Sequence, residues 1–327
     1  MDVKILSEGL FSLQTSIKSI KTPFFFPAIS SVKTTEDVED YYYTIRESSY
    51  PGFLISAYDL AHHKNADKII NDLNKATDLG TMTIVDSGGY ESYWHKDEGW
   101  SEKQYEEVLK KVKVDISFSY DLYWNKDSKL HDQIKNISHN AAIAASIQTH
   151  GDIAPIIHGT PESLPSLITG LLKELTPLII GVTEEELGKD LIERCRTVKK
   201  IRDEISENRP DLIIHVLGAG NPASILCYSL LGANSFDGLS WCRSAIDPSN
   251  GQEHDFSQMG LFKCNCKACR EEKSYTKKTL LHNLIFYNNF CKEINESVAE
   301  GKIQALLNKY LPKGASEELK KLVGLHE

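Results

Sequence analysis

Three aspartates close short apolar runs at comparable points along the chain: Asp86 after 81–85, Asp121 after Tyr120, and Asp237 after Phe236. Asp86 also opens the turn Asp86-Ser87-Gly88-Gly89-Tyr90, whose paired glycines let the backbone bend sharply and approach a ligand closely. Taken singly, each aspartate could serve as a turn former or helix cap. If the runs are neighbouring strands, all three carboxylates converge on one mouth. Converging carboxylates suit chemistry at a sugar's anomeric carbon, one attacking to form a covalent ester and another handling the leaving group's proton. Their mutual repulsion should hold one of them protonated. The same oxygens could instead hold a divalent metal for hydrolytic chemistry. Against that, His158 is the only strand-end histidine, since His62 and His63 fall in a loop.

A second constellation lies near the C-terminus. Cys264-x-Cys266-x-x-Cys269 sets three thiolates in one tight loop, and His282 follows thirteen residues later. Three sulfurs and one imidazole make a closed tetrahedral zinc site, structural because no position is left for water. Cys291 and His254 are rivals for the fourth place, but His282 opens a helix and can face back onto the loop. Lys263, Lys267, Arg270, Lys273, Lys277 and Lys278 surround the cysteines against only Glu271 and Glu272. This window reads either as a solvated helix face or as a phosphate contact. Trp94, Trp124 and Trp241 each follow a strand end, with Trp100, Tyr90 and Tyr123 close by, and large rings at a mouth favour flat ligands such as nucleobases.

The elements that must position these groups alternate strictly. Apolar runs at 24–29, 52–57, 81–86, 114–120, 153–158, 178–182, 212–217 and 234–236 are separated by helical patterns near 35–48, 64–78, 102–112, 132–149, 161–174, 184–206 and 222–232. Such alternation implies parallel strands with helical crossovers. Eight strands fit an α/β protein of the closed (β/α)8 barrel type, a TIM barrel, whose functional groups sit at the C-terminal ends of the strands. An open doubly wound sheet is the alternative, but no Gly-x-Gly-x-x-Gly follows the first strand. We therefore expect a catalytic barrel over 1–255 and a zinc-binding helical subdomain over 256–327, with helices at 277–300, 302–310 and 316–325.

Composition limits what this fold can be doing. The 327 residues carry 37 basic and 46 acidic side chains, a net charge of −9, which argues against a general polybasic nucleic-acid binder. No apolar run approaches a membrane span and no secretory signal stands at the start, so a soluble, cytoplasmic protein is expected.

Thr22-Pro-Phe-Phe-Phe-Pro27, Asp86-Ser-Gly-Gly-Tyr90, Leu217-Gly-Ala-Gly-Asn-Pro222, Phe236-Asp237 and the cysteine cluster before His282-Asn-Leu occur in that order. Together they resemble the tRNA-guanine transglycosylase superfamily over roughly residues 20–295. These are zinc-containing (β/α)8 enzymes that replace guanine in a polynucleotide by a 7-deazaguanine. The resemblance implies Asp237 as the nucleophile on the sugar C1′ and Asp86 as the general acid and base. It implies Asp121 as reader of the guanine edge, Tyr90 and Leu217 on the two faces of the base, and Ser87, Gly88 and Gly181 lining the base site. It also implies structural Zn2+ on Cys264, Cys266, Cys269 and His282.

The chain departs from that pattern in ways that bear on the polynucleotide. His158 stands where a base-contacting glutamine is usual, Glu91 where a glutamine follows the aromatic, Ile180-Gly181 where a glycine pair is usual, and Gly238-Leu-Ser-Trp-Cys-Arg243 replaces a Pro-Thr-Arg-like segment. These departures resemble the DNA-modifying branch, which inserts 7-cyano-7-deazaguanine or a relative, so DNA is the favoured substrate and tRNA the alternative. A homodimer, or partner proteins that open a duplex, would be compatible. A non-catalytic partner subunit is a further reading, weakened because both Asp86 and Asp237 are present.

Overall fold

The computed structural model describes residues 1–327 apart from 8, 9, 16, 122–127, 149, 312 and 324–327. Tyr123 and Trp124 lie outside the described residues. The chain begins with an antiparallel meander, β1 (Asp2–Ser7), β2 (Leu10–Gln14) and β3 (Ser19–Lys21), that the sequence reading did not anticipate. Lys18 at its tip reaches Asp115 at 2.7 Å, and Asp115 also accepts from the Thr83 N–H. Those contacts lie where two barrel strands begin, so the meander closes the end of the barrel opposite the strand-end aspartates.

The barrel strands are β4 (Phe24–Ile29), β5 (Gly52–Ser56), β6 (Met82–Asp86), β7 (Ile116–Phe118), β8 (Asp152–Ala154), β9 (Ile156–Ile157), β10 (Ile179–Thr183), β11 (Ile213–Leu217) and β12 (Ser235–Gly238). They form one parallel sheet in the order β8-β7-β6-β5-β4-β12-β11-β10-β9. The two ends of that order are consecutive pieces of one chain segment, broken only at Pro155, whose missing N–H interrupts the ladder. β8 pairs with β7 and β9 pairs with β10, so this one bent strand closes the ring. The expected eight-stranded (β/α)8 barrel is thus present. Its strands are buried on both faces, as a parallel barrel wrapped in helices requires.

Helices follow the strands with ordinary start signals. Asp37 caps Val38–Ser48 by accepting from the Glu39 N–H, Asp190 caps Leu191–Ser206, and Asn221 with Pro222 starts Pro222–Leu230. Two short helices, Ala57–His62 and Gly89–His95, follow β5 and β6 directly and were not foreseen. A hairpin of β13 (Ser244–Ile246) and β14 (Glu253–Asp255) was likewise missed.

Beyond it, the long helix Tyr275–Ala299 lies on the barrel. Tyr287 stacks on Phe25 at 4.0 Å and donates to the Gly220 carbonyl, while Asn283 bonds Trp241, Ser244 and Ile246 backbone atoms. Helices Ile303–Tyr310 and Lys313–Val323 complete the chain. No helix among the described residues is long and apolar enough to cross a membrane.

Candidate active site

Around the mouth the strand ends run Asp86 (β6), Asp121 (after β7), His158 (after β9), Thr183 (β10), Leu217 (β11) and Asp237 (β12). Asp86 caps its own turn: its Oδ1 accepts from the Gly88 N–H at 2.8 Å and the Ser87 hydroxyl at 3.1 Å. Gly88 has φ +81°, and a Cβ there would stand 2.7 Å from that of Tyr58, so only glycine permits the turn. The turn-former reading is therefore correct, yet it uses a single oxygen of Asp86. Burial, with added repulsion from Asp121 and Asp237, outweighs the Gly88 bond and raises this carboxyl to about 7. Asp86 can thus hold or release a proton near neutrality, with Asp121 and Asp237 close enough to repel its charge.

Asp237 is held differently. Its Oδ1 accepts from His215 Nε2 at 3.1 Å and from the Gly218 N–H at 3.1 Å, and no hydrogen bond from the described residues reaches Oδ2. A carboxylate only accepts, so Nε2 of His215 carries the proton, and Nδ1 faces the Ser235 hydroxyl at 2.7 Å. His215 is fully buried, with its ring beside Phe118 and Phe26, and these rings form the floor of the mouth. The sequence reading passed over it. The available signal was a lone polar residue facing inward from the apolar strand Ile213–Leu217.

The third carboxylate belongs to a chain of charges. Asp121 Oδ2 accepts from His158 Nε2 at 3.0 Å, and His158 Nδ1 lies 3.1 Å from both oxygens of Glu186. The Thr183 hydroxyl donates to Glu186 at 2.6 Å. Burial disfavours charge on His158, but its bonds to the two carboxylates win and raise it to about 10. Burial would likewise raise Asp121, but the His158 contact overcomes this and holds it below the usual carboxylate range. Among the described residues no hydrogen bond is made to Asp121 Oδ1, which is buried near the Ser87 hydroxyl and 3.2 Å from where a Cβ on Gly89 would stand. Glycine at 89 thus leaves room beside that oxygen.

Gly181 has its N–H committed to the Pro155 carbonyl, and a Cβ there would strike Phe118 at 2.8 Å and approach Leu217 at 3.3 Å. Packing alone accounts for this glycine. Leu217 is half-buried on the rim just before Gly218.

Behind Asp86 lies Glu91, buried and accepting from the Ser30 and Ser56 hydroxyls. Burial, with Asp86 and Asp59 adding repulsion, pushes its carboxyl well above the usual range. The aromatics divide. Trp241 is buried and donates to the Ala28 carbonyl, and Trp100 is buried and donates to the Ser87 carbonyl. Both are packing residues rather than ligand platforms, a correction to the expectation for the mouth. Tyr90, Tyr93 and Trp94 stand exposed on helix Gly89–His95, with the Lys33 ammonium 3.2 Å from the centre of the Trp94 ring.

The family model for queuine tRNA-ribosyltransferase matches residues 9–314. The chain belongs to that family. Among curated relatives, a queuine tRNA-ribosyltransferase of Clostridium kluyveri is 29% identical over 158 residues, covering 38% of this chain and 37% of the relative. A tRNA-guanine(15) transglycosylase of Sulfolobus acidocaldarius is 20% identical over 316 residues, covering 89% of this chain and 61% of the relative. Its counterpart from Thermococcus onnurineus is 20% identical over 332 residues, covering 90% and 53%. The matched stretches therefore span between 37% and 61% of these relatives' own lengths.

In this member of the queuine tRNA-ribosyltransferase family, the donor atoms of Cys264, Cys266, Cys269 and His282 lie within 4.8 Å of one another. The Cys266 and Cys269 sulfurs are each 3.5 Å from His282 Nδ1. Bonds of about 2.3 Å to sulfur and about 2.0 Å to nitrogen at tetrahedral angles require a separation of about 3.5 Å, so the donor set fits zinc. His282 Nε2 donates to the Ile246 carbonyl at 2.8 Å, which leaves Nδ1 as the ligating lone pair. Cys291 is buried against the barrel and lies outside this cluster. Three of the neighbouring lysines have partners, Lys273 and Lys277 both pairing with Glu47 and Lys267 with Glu271. A second acid–histidine group, Asp37, Glu39 and His63, is occupied internally. Both His63 nitrogens are hydrogen-bonded, to Asp37 and to the Asn65 N–H, and Glu39 pairs with Lys68.

Proposed function

We propose that this protein is a pentosyltransferase that exchanges guanine in a polynucleotide for a 7-deazaguanine base through a covalent glycosyl-aspartate. The observation that carries the reading is a pair of strand-end carboxylates near enough to repel each other, Asp237 held by donors on one oxygen only and Asp86 raised to about 7. Asp237 Oδ2 attacks C1′, the bond from C1′ to the base nitrogen breaks, and the proton on Asp86 passes to the departing guanine. The two donors on Oδ1 stay in place while Oδ2 becomes the ester oxygen. The incoming base then gives its N–H proton to the Asp86 carboxylate and attacks C1′, and Asp237 leaves as a carboxylate. Two inversions preserve the sugar configuration. His215 and Gly218 stabilise that anion and so favour release of the ester. Zinc on the cysteine loop would supply shape alone, fixing the loop against β13 and helix Tyr275–Ala299.

Around the base, Asp121 Oδ1 accepts from the guanine edge and Tyr90 covers a face. Trp94, Tyr93 and Lys33 suit the nucleotides flanking an extruded base, by stacking and by charge. DNA is favoured by the departures at His158, Glu91 and Gly238–Arg243, and tRNA is supported by the names of the relatives. Incubating the protein with labelled guanine or 7-cyano-7-deazaguanine, and with single-stranded DNA, duplex DNA and tRNA in turn, tests the proposal. Label in DNA is the expected result. Label confined to tRNA reassigns the substrate, and label in neither removes the activity.

A further inference from the structure

Glu186 was not singled out by its sequence, and nothing in the exchange reaction requires it, yet it stands behind His158 in a site already crowded with carboxylates. Glu184, two residues earlier, is accounted for by Arg194 at 3.3 Å and the Tyr228 hydroxyl at 2.9 Å. Glu186 instead turns inward to His158 and is fixed there by Thr183. Both imidazole nitrogens of His158 therefore face carboxylate oxygens, which only accept, so both carry hydrogen and the ring is an imidazolium. Beside it, Asp121 presents Oδ1, a buried acceptor to which no hydrogen bond is made among the described residues, next to the Ser87 hydroxyl and the space left by Gly89. The mouth thus sets one buried carboxylate oxygen beside a cationic ring whose two N–H groups are already given to Asp121 and Glu186, so that the ring acts on a ligand through its charge.

We propose that Glu186 is a positioning residue that keeps His158 charged, so that His158 and Asp121 together read a lactam edge: a ring N–H next to a carbonyl. The N–H of a 6-oxopurine or its 7-deaza analogue donates to Asp121 Oδ1, and the neighbouring carbonyl faces the imidazolium. A 6-aminopurine reverses donor and acceptor, setting a lone pair against the carboxylate and an amine against the cation. This inference rests on the base-exchange reading, which already assigns the guanine edge to Asp121 and position 158, and adds to it the residue that holds His158 in its charged form. The groups facing His158 are Asp121 from the end of β7 and Glu186 from the turn after β10, with Asp86 lying beyond Asp121.

The test is calorimetric binding of free guanine and free adenine to the full chain at pH 6.5 and 8.5, for wild type, Glu186→Gln, His158→Gln and the double variant. Wild type should bind guanine with only the pH dependence that Asp86, raised to about 7, imposes on every variant, and should leave adenine unbound. Glu186→Gln removes one of the two charges that hold the proton on His158, so from pH 6.5 to 8.5 its guanine affinity should fall about tenfold more than that of wild type. In turnover the loss should appear in KM for the base rather than in kcat. His158→Gln has no titrating ring at this position, so its affinity should change with pH only as wild type's does, and adding Glu186→Gln to it should change nothing further. Equal guanine affinity of Glu186→Gln and wild type at both values overturns the inference, as does a loss that is the same at both. If wild type binds no guanine, the base-exchange reading fails with it. If wild type exchanges guanine and Glu186→Gln tracks it, only the role of Glu186 fails.

Discussion

Asp237 and Asp86 are chemically identical side chains that the fold places in different states, and the difference can be measured one residue at a time. Asp237→Asn keeps the shape and can still accept from His215 and Gly218, but has no anionic oxygen to attack with. Covalent adducts trapped on nucleic acid by denaturing electrophoresis should vanish while zinc content stays unchanged, and an adduct surviving in that variant would refute Asp237 as nucleophile. His215→Phe removes one of two donors to Asp237 Oδ1 and puts another ring beside Phe26 and Phe118. A hydrogen bond to a charged group contributes about 1.5–3 kcal/mol, so kcat should fall about ten- to a hundredfold with KM unchanged. For Asp86, raised to about 7 chiefly by burial, the sign is fixed by the role proposed for it. Below that value it holds the proton the departing guanine needs, and above it the proton is gone. Guanine release in a single turnover should therefore be level on the acid side and fall as pH rises through about 7. A rate level to pH 9 would exclude Asp86 as the acid.

At the scale of elements, helix Gly89–His95 and the cysteine loop show what a sequence does and does not disclose. The barrel strands were legible because parallel strands buried on both faces leave continuous apolar runs, and β4 falls on its expected residues, 24–29. The cysteine cluster was legible because three thiols in six residues have few other uses. Helix Gly89–His95 was not, since seven residues are too short for a periodic signal, and Trp100 and Trp241 looked like mouth residues until their indole N–H groups were found bonded to buried carbonyls. The network of His158, Asp121 and Glu186 joins three separate loops, a proximity that only closure of the ring creates. The helix carries its own prediction. Trp94→Ala should raise KM for the polynucleotide about five- to a hundredfold, the worth of about 1–3 kcal/mol for one stacked base, and leave KM for the free base unchanged. Equal loss for both substrates would make Trp94 a packing residue.

For the whole molecule, the question is how a chain of net charge −9 would take the polyanion proposed as its substrate. Its acidic excess is spread over a surface rich in ion pairs, and even the cysteine loop spends Lys273 and Lys277 on Glu47. What remains near the mouth is sparse. Lys33 lies on Trp94, and Arg243 is exposed with its charge acting on Tyr90, neither paired with a carboxylate among the described residues. Lys263, Arg270 and Lys278 are likewise unpaired beside the cysteine loop. Binding should therefore depend on salt only weakly compared with a basic nucleic-acid binder, because few condensed counterions are released. If about three phosphates are neutralised on a single strand, log K should fall with log salt at a slope of about −2, or about twentyfold from 50 to 200 mM. Lys33→Ala should make that slope shallower by about 0.7, one phosphate's share, whereas Lys273→Ala should leave it unchanged because that lysine is already neutralised by Glu47. Fluorescence anisotropy of a labelled strand across a salt series measures all three slopes. A wild-type slope steeper than about −5 would show that a broad basic surface, rather than this mouth, holds the strand.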